Sequence, residues 1–96
     1  MDKVEARTIL EAELKKYHGK PYLMLARLIT NADEYEVSGP SGANYHVEIS
    51  ASWEEQHFGN IRVVGFIDDG TWRANFPLSS YFIKTSSDKI VASVIS

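Results

Sequence analysis

The sequence predicts an α+β fold, with two N-terminal helices packed on one face of a four- or five-stranded antiparallel sheet. Three observations carry that expectation. Apolar residues recur at three- and four-residue steps as far as Tyr17, and at two-residue steps from Glu34 onward. Asp69-Gly70 stands between two alternating runs as a hairpin signal. The chain has 96 residues and 10.8 kDa, room for one domain over residues 1–96 and one modest core.

Residues 2–17 read as an amphipathic helix. Asp2 caps it, and Glu5 three positions later fits a capping box. Ala6, Ile9, Leu10, Leu14 and Tyr17 form the apolar stripe, while Glu11, Lys15 and Lys16 face water. Lys15, Lys16 and His18 suit the negative end of the helix dipole, and Gly19 ends the run. Pro21 then opens a second, largely buried helix over residues 21–31, rich in Leu, Met and Ala. Tyr22, Met24, Ala26 and Leu28 also alternate as a strand would, so periodicity by itself leaves both forms open.

The sheet is expected over residues 34–95. Strand 34–38 leads through the turn Gly39-Pro40-Ser41-Gly42 to strand 44–53, and strand 61–68 follows a polar connection. Residues 71–76 then return across a two-residue Asp69-Gly70 loop and stop at Pro77, which cannot donate to a ladder. Leu78, Tyr81 and Phe82 are spaced like one helical turn, and residues 90–95 make a last strand.

Placing Trp53 opposite Ile61 keeps both apolar sets on one face; a one-residue slip would send one of them to water. The hairpin loop puts Phe66 opposite Arg73 and Gly65 opposite Ala74. Trp53, Trp72 and Phe76 then belong to the core beneath Ile9, Leu10 and Leu14, and Gly65 marks a shallow place for a helix to approach. The opposite face carries His46, Glu48, Arg62, Val64, Phe66, Asp68 and Arg73.

Composition excludes several function classes. Thirteen Asp and Glu against ten Lys and Arg leave a net charge of −3, which disfavours general nucleic-acid binding. There is no cysteine, hence no disulfide, thiolate catalyst or thiolate-bound zinc. The N-terminus lacks the pattern of a secretory leader. The longest apolar stretch, 22–29, is interrupted by Arg27 and too short to span a bilayer, so a cytoplasmic protein is expected. No cofactor or metal site is expected either: the three histidines lack metal-ligand spacing, and Asp68-Asp69-Gly70 lacks the further oxygen ligands of a calcium loop.

The runs Tyr35 to Gly42, Tyr45 to Ile49, Trp53-Glu54, Gly59 to Leu78 and Phe82-Ile83 together resemble a family of small bacterial proteins of unknown function. That family's pattern is Trp-Asp-Asp, then Arg-Val-x-Gly-x-Ile-Asp-Asp-Gly-x-Trp-Arg-Ala-x-x-Pro-Leu, then Phe-Ile. The similarity covers about residues 34–83, and the central run is its distinctive part. Glu54-Glu55 follows Trp53 here, and Lys84 to Lys89 replaces a Pro-Asp-Gly turn. The resemblance implies domain boundaries and brings no activity, cofactor or substrate.

These readings point to a non-enzymatic module that binds another macromolecule, a protein being one candidate, through the outer sheet face, using His46, Glu48, Arg62, Phe66 and Arg73. In the expected register Arg73 lies over the Phe66 ring and approaches Glu48. A second reading is a small-ligand or nucleotide site formed by Arg62, Arg73 and His46 around Phe66. A third is an enzyme with His46 as base oriented by Glu48, for which no nucleophile is identifiable.

Overall fold

A computed structural model describes residues 1–70 and 77–95, with the backbone alone at 94 and 95. Helix α1 is Lys3–His18. Helix α2 is Tyr22–Ala26, continued by a single 3₁₀ turn, Arg27–Ile29. Strands β1 (Asp33–Ser38), β2 (Asn44–Trp53), β3 (Ile61–Asp68), β4 (Leu78–Lys84) and β5 (Ile90–Ile95) follow. They form one antiparallel sheet in the order β1-β2-β3-β4-β5. The α+β class and a five-stranded antiparallel sheet therefore stand.

Asp2 caps α1 as expected, its Oδ1 accepting from the Glu5 amide at 3.0 Å. Glu5 departs from the capping box. Its carboxylate turns to the sheet and accepts from the Tyr45 hydroxyl at 2.6 Å, the Ser41 hydroxyl at 2.7 Å and the Ser41 amide at 3.0 Å. These bonds tie the first turn of α1 to the β1–β2 turn. They hold the Glu5 carboxyl below its ordinary value of 4.5, the Tyr45 bond contributing most. A depressed folded value means stabilisation that is present above 4.5 and lost as pH falls through the folded value. Melting curves of wild type and Glu5→Gln should therefore differ near neutral pH and converge in acid; a constant gap down to pH ~3 would contradict this assignment.

The second helix is shorter and less enclosed than its composition suggests. Tyr22, Leu25 and Leu28 are buried, but Leu23 and Met24 are exposed. So short a helix turns one side to the core, and its other apolar residues are left in water.

The register of β2 against β3 is the expected one, with Trp53 opposite Ile61 and Ile49 opposite Gly65. Alternate residues Tyr45, Val47, Ile49, Ile61, Val63 and Ile67 are fully or almost fully buried. Gly65 lies among them. A Cβ there would stand 2.8 Å from Leu10 Cδ1 and 3.1 Å from both Leu14 Cγ and Ile49 Cδ1. The missing side chain is thus what lets α1 approach β3. Gly65→Val should cost about 1–3 kcal/mol through overpacking. A chemical denaturation midpoint equal to that of wild type would contradict the close approach.

The partner of β3 on its other side differs from the expectation. Gly70 has the expected positive φ of 76°, and its amide donates to Asp68 Oδ1 at 2.8 Å. The next described strand nevertheless begins only at Leu78, and residues 71–76 lie outside the described residues. β3 pairs with β4, so Phe66 faces Ser79 and Gly65 faces Ser80 in place of Arg73 and Ala74. The expected helical turn at Leu78, Tyr81 and Phe82 is overturned by the same pairing. Ladder bonds to β3 and β5 outweigh a three-residue spacing that also fits a strand. Trp72, Arg73, Ala74 and Phe76, for which a strand and partly a core role were expected, lie outside the described residues. Trp53 is only partly buried. It packs beside Tyr22, His57 and Phe58, with ring centroids 6.5, 5.9 and 5.4 Å away.

The turn after β4 fastens both helices. Buried Lys84 donates from Nζ to the carbonyls of His18 at 2.8 Å and Lys20 at 2.6 Å, at the end of α1. Asp88, four residues on, accepts the Tyr22 amide at 2.7 Å, at the start of α2. A cation thus meets one helix C-terminus and an anion the next N-terminus, the favourable sense for both dipoles.

Candidate functional site

The face opposite the buried residues of β2 and β3 carries side chains from four strands. Backbone register sets its rows. Glu34, Glu48, Phe66 and Ser79 face one another across β1 to β4, and Glu36, His46 and Asp68 form the neighbouring row. His46 Nε2 lies 3.3 Å from Glu34 Oε1, and Nδ1 lies 3.6 Å from Glu36 Oε1. His46, Glu48, Phe66, Asp68 and Pro77 line a shallow groove of about 330 Å³. A second hollow of about 470 Å³ adjoins it at His46, lined also by Glu36, Asn44, Asp69 and Gly70.

Arg62 belongs to a different place on the same face. It lies four residues from Phe66 along β3, about 13 Å at strand rise. Its Nε and one terminal nitrogen donate to the Glu54 carboxylate at 2.8 and 2.9 Å, and its guanidinium carbon stands 4.2 Å from the Tyr81 ring centroid. The hydrogen bonds from Arg62 hold the Glu54 carboxyl below its usual range. Arg62 is therefore committed to Glu54 and Tyr81 instead of facing the Phe66 groove.

Of the five residues read from the sequence, the structure brings together His46, Glu48 and Phe66, and separates Arg62 from them. Arg73 lies outside the described residues; its expected place opposite Phe66 is taken by Ser79. Sequence reasoning missed Glu34 and Glu36. Their alternation in β1 puts them on one face, but only the β1–β2 register places that face beside His46.

The helix side holds another ionisable group. The Tyr17 hydroxyl donates to Asp33 at 2.6 Å, the Tyr35 hydroxyl donates to buried Glu13 at 2.8 Å, and Lys16 pairs with Glu13 at 2.9 Å. Burial first, and hydrogen bonds to the carboxylates second, push both phenols up, Tyr35 to about 12. Both stay protonated donors near neutral pH, an arrangement that joins α1 to β1 and offers no base or nucleophile. Among the described residues, no three His, Asp or Glu side chains are grouped to hold a metal ion, and no helix is long and apolar enough to cross a membrane.

Comparison of the chain with protein-family models, curated proteins and solved structures finds no match.

Proposed function

We propose that the protein is a non-enzymatic, cytoplasmic interaction module that binds a basic polypeptide segment across the outer sheet face. The observation that carries this reading is the groove in which Phe66, partly buried, is flanked by Glu48, Asp68 and His46. Glu34 and Glu36 stand beside it, and among the described residues no Lys or Arg lines either hollow. An aromatic anchor ringed by carboxylates suits a segment that offers an apolar side chain between Lys or Arg residues. The same carboxylates repel phosphate, which weighs against the nucleotide reading.

An array of short peptides of graded charge, probed with labelled protein, tests the proposal. Lys- and Arg-rich peptides should bind, and binding should weaken as salt is raised. Phe66→Ala and Glu48→Lys should each raise Kd about tenfold or more, with only a small change in Tm. Preference for acidic peptides, or backbone amide shifts confined to α1 on binding, would overturn it.

A further inference from the structure

The two edges of the sheet differ in chemistry. β1 carries Asp33, Glu34 and Glu36 in a six-residue strand. β5 reads Ile-Val-Ala-Ser-Val-Ile, with no charge, no Pro and no Gly. Among the described residues no strand pairs with the outer side of β5, and its outward N–H and C=O groups have no ladder partner there. Ile90 and Val91 are 40% and 57% exposed. Sheet edges are normally blunted by charge, proline or bulges. β1 has the charge. In β5 the register shift is a bulge at Val91, which falls between Ile90, opposite Lys84, and Ala92, opposite Ile83; residues 92–95 beyond it keep a regular register. An uncharged, β-branched strand left open in this way is a template for another strand.

Two copies have three edge pairings available. Joining β1 to β1 lines both sides of one seam with carboxylates. Joining β1 to β5 exposes a fresh β5 with every copy added and closes nowhere. Joining β5 to β5, antiparallel about a two-fold axis normal to the sheet, makes a neutral seam and leaves acidic β1 at both ends. It also keeps corresponding faces of the two sheets on the same side. We infer that the occupant of the β5 edge is a second copy of this chain, giving a two-fold dimer with one continuous sheet. The inference is independent of the Phe66 groove, which β2 and β3 form away from this seam.

Light scattering coupled to size exclusion, over a range of protein concentration, tests it. Wild type should rise from 10.8 kDa toward about twice that mass and stop there. Val91→Lys supplies the edge charge that β5 lacks and should remain at the monomer mass, with a dilute-solution Tm close to that of wild type. Ser38→Lys, on the β1 edge, should dimerise as wild type does. Hydrogen exchange gives a second readout on the unaltered chain: β5 amides should exchange more slowly at high concentration than at low. A wild type that is monomeric throughout, a mass that grows past two copies, a Val91→Lys protein that still dimerises, or β5 exchange independent of concentration would overturn the inference.

Discussion

Phe82→Ala is expected to destabilise the fold by about 3–5 kcal/mol, the cost of removing a large side chain from a filled core. Phe82 is fully buried, lies opposite Val63 in the β3–β4 ladder, and meets the His18 ring edge-on at a centroid distance of 4.4 Å. Its truncation empties space between the middle of the sheet and the end of α1. In a domain of this size each kcal/mol lowers Tm by about 4–8 °C, so the variant should melt far below wild type or fail to fold at 37 °C. Tyr81→Ala provides the contrast. Tyr81 is on the opposite face beneath Arg62, and its loss removes one cation–π contact and a part-buried ring. Equal melting temperatures for the two variants would show that Phe82 is not on the buried face.

Lys84→Met should cost about 2–4 kcal/mol, although it preserves most of the side-chain volume. Lys84 is only 4% exposed, and its ammonium supplies hydrogen bonds to the carbonyls of His18 and Lys20. Methionine leaves both acceptors without that donor in a site that admits little water. The pairing of Lys84 with Asp88, at 3.4 Å, contributes much less, because Asp88 is largely exposed. Asp88→Asn keeps an oxygen for the Tyr22 amide and should therefore change stability by less than about 1 kcal/mol. Denaturant midpoints of the two variants give the comparison. A Lys84→Met protein as stable as wild type would contradict the capping role.

Local pattern carried a good part of this fold. The α1 stripe, the Asp2 cap, the alternation of β2 and β3, the register of Trp53 with Ile61, the close approach at Gly65 and the positive φ at Gly70 are each properties of neighbouring residues, or of one hydrophobic face matched to another. Such properties can be read because slipping a half-buried strand by one residue reverses every side chain on it. The second helix was legible in kind but not in extent, since propensity does not say how much of a short apolar segment finds a surface to cover.

The candidate site was legible only in part. His46, Glu48 and Phe66 share a face by alternation and by the β2–β3 register, and both can be taken from the chain itself. The remainder depended on which strand lies next to β3. Asp69-Gly70 has the composition of a two-residue hairpin and Gly70 has its positive φ, yet the described strand beside β3 is Leu78–Lys84. Turn chemistry specifies dihedral angles at two residues. It does not specify which later segment wins the open edge.

What the sequence determined by itself is therefore the class of each long element, the buried face of β2 and β3, and the acidic, cysteine-free character of the chain. These follow from periodicity and composition, which act locally. Tertiary structure alone decided that Leu78–Lys84 is a strand beside β3, that Lys84 and Asp88 serve the ends of two helices more than sixty residues away, and that Glu5 bonds to Ser41 and Tyr45 rather than closing its own cap. In each case a polar or ambiguous residue has several partners of similar local energy. The choice among them is made by burial, because a charge or amide enclosed without a partner costs more than any local preference supplies.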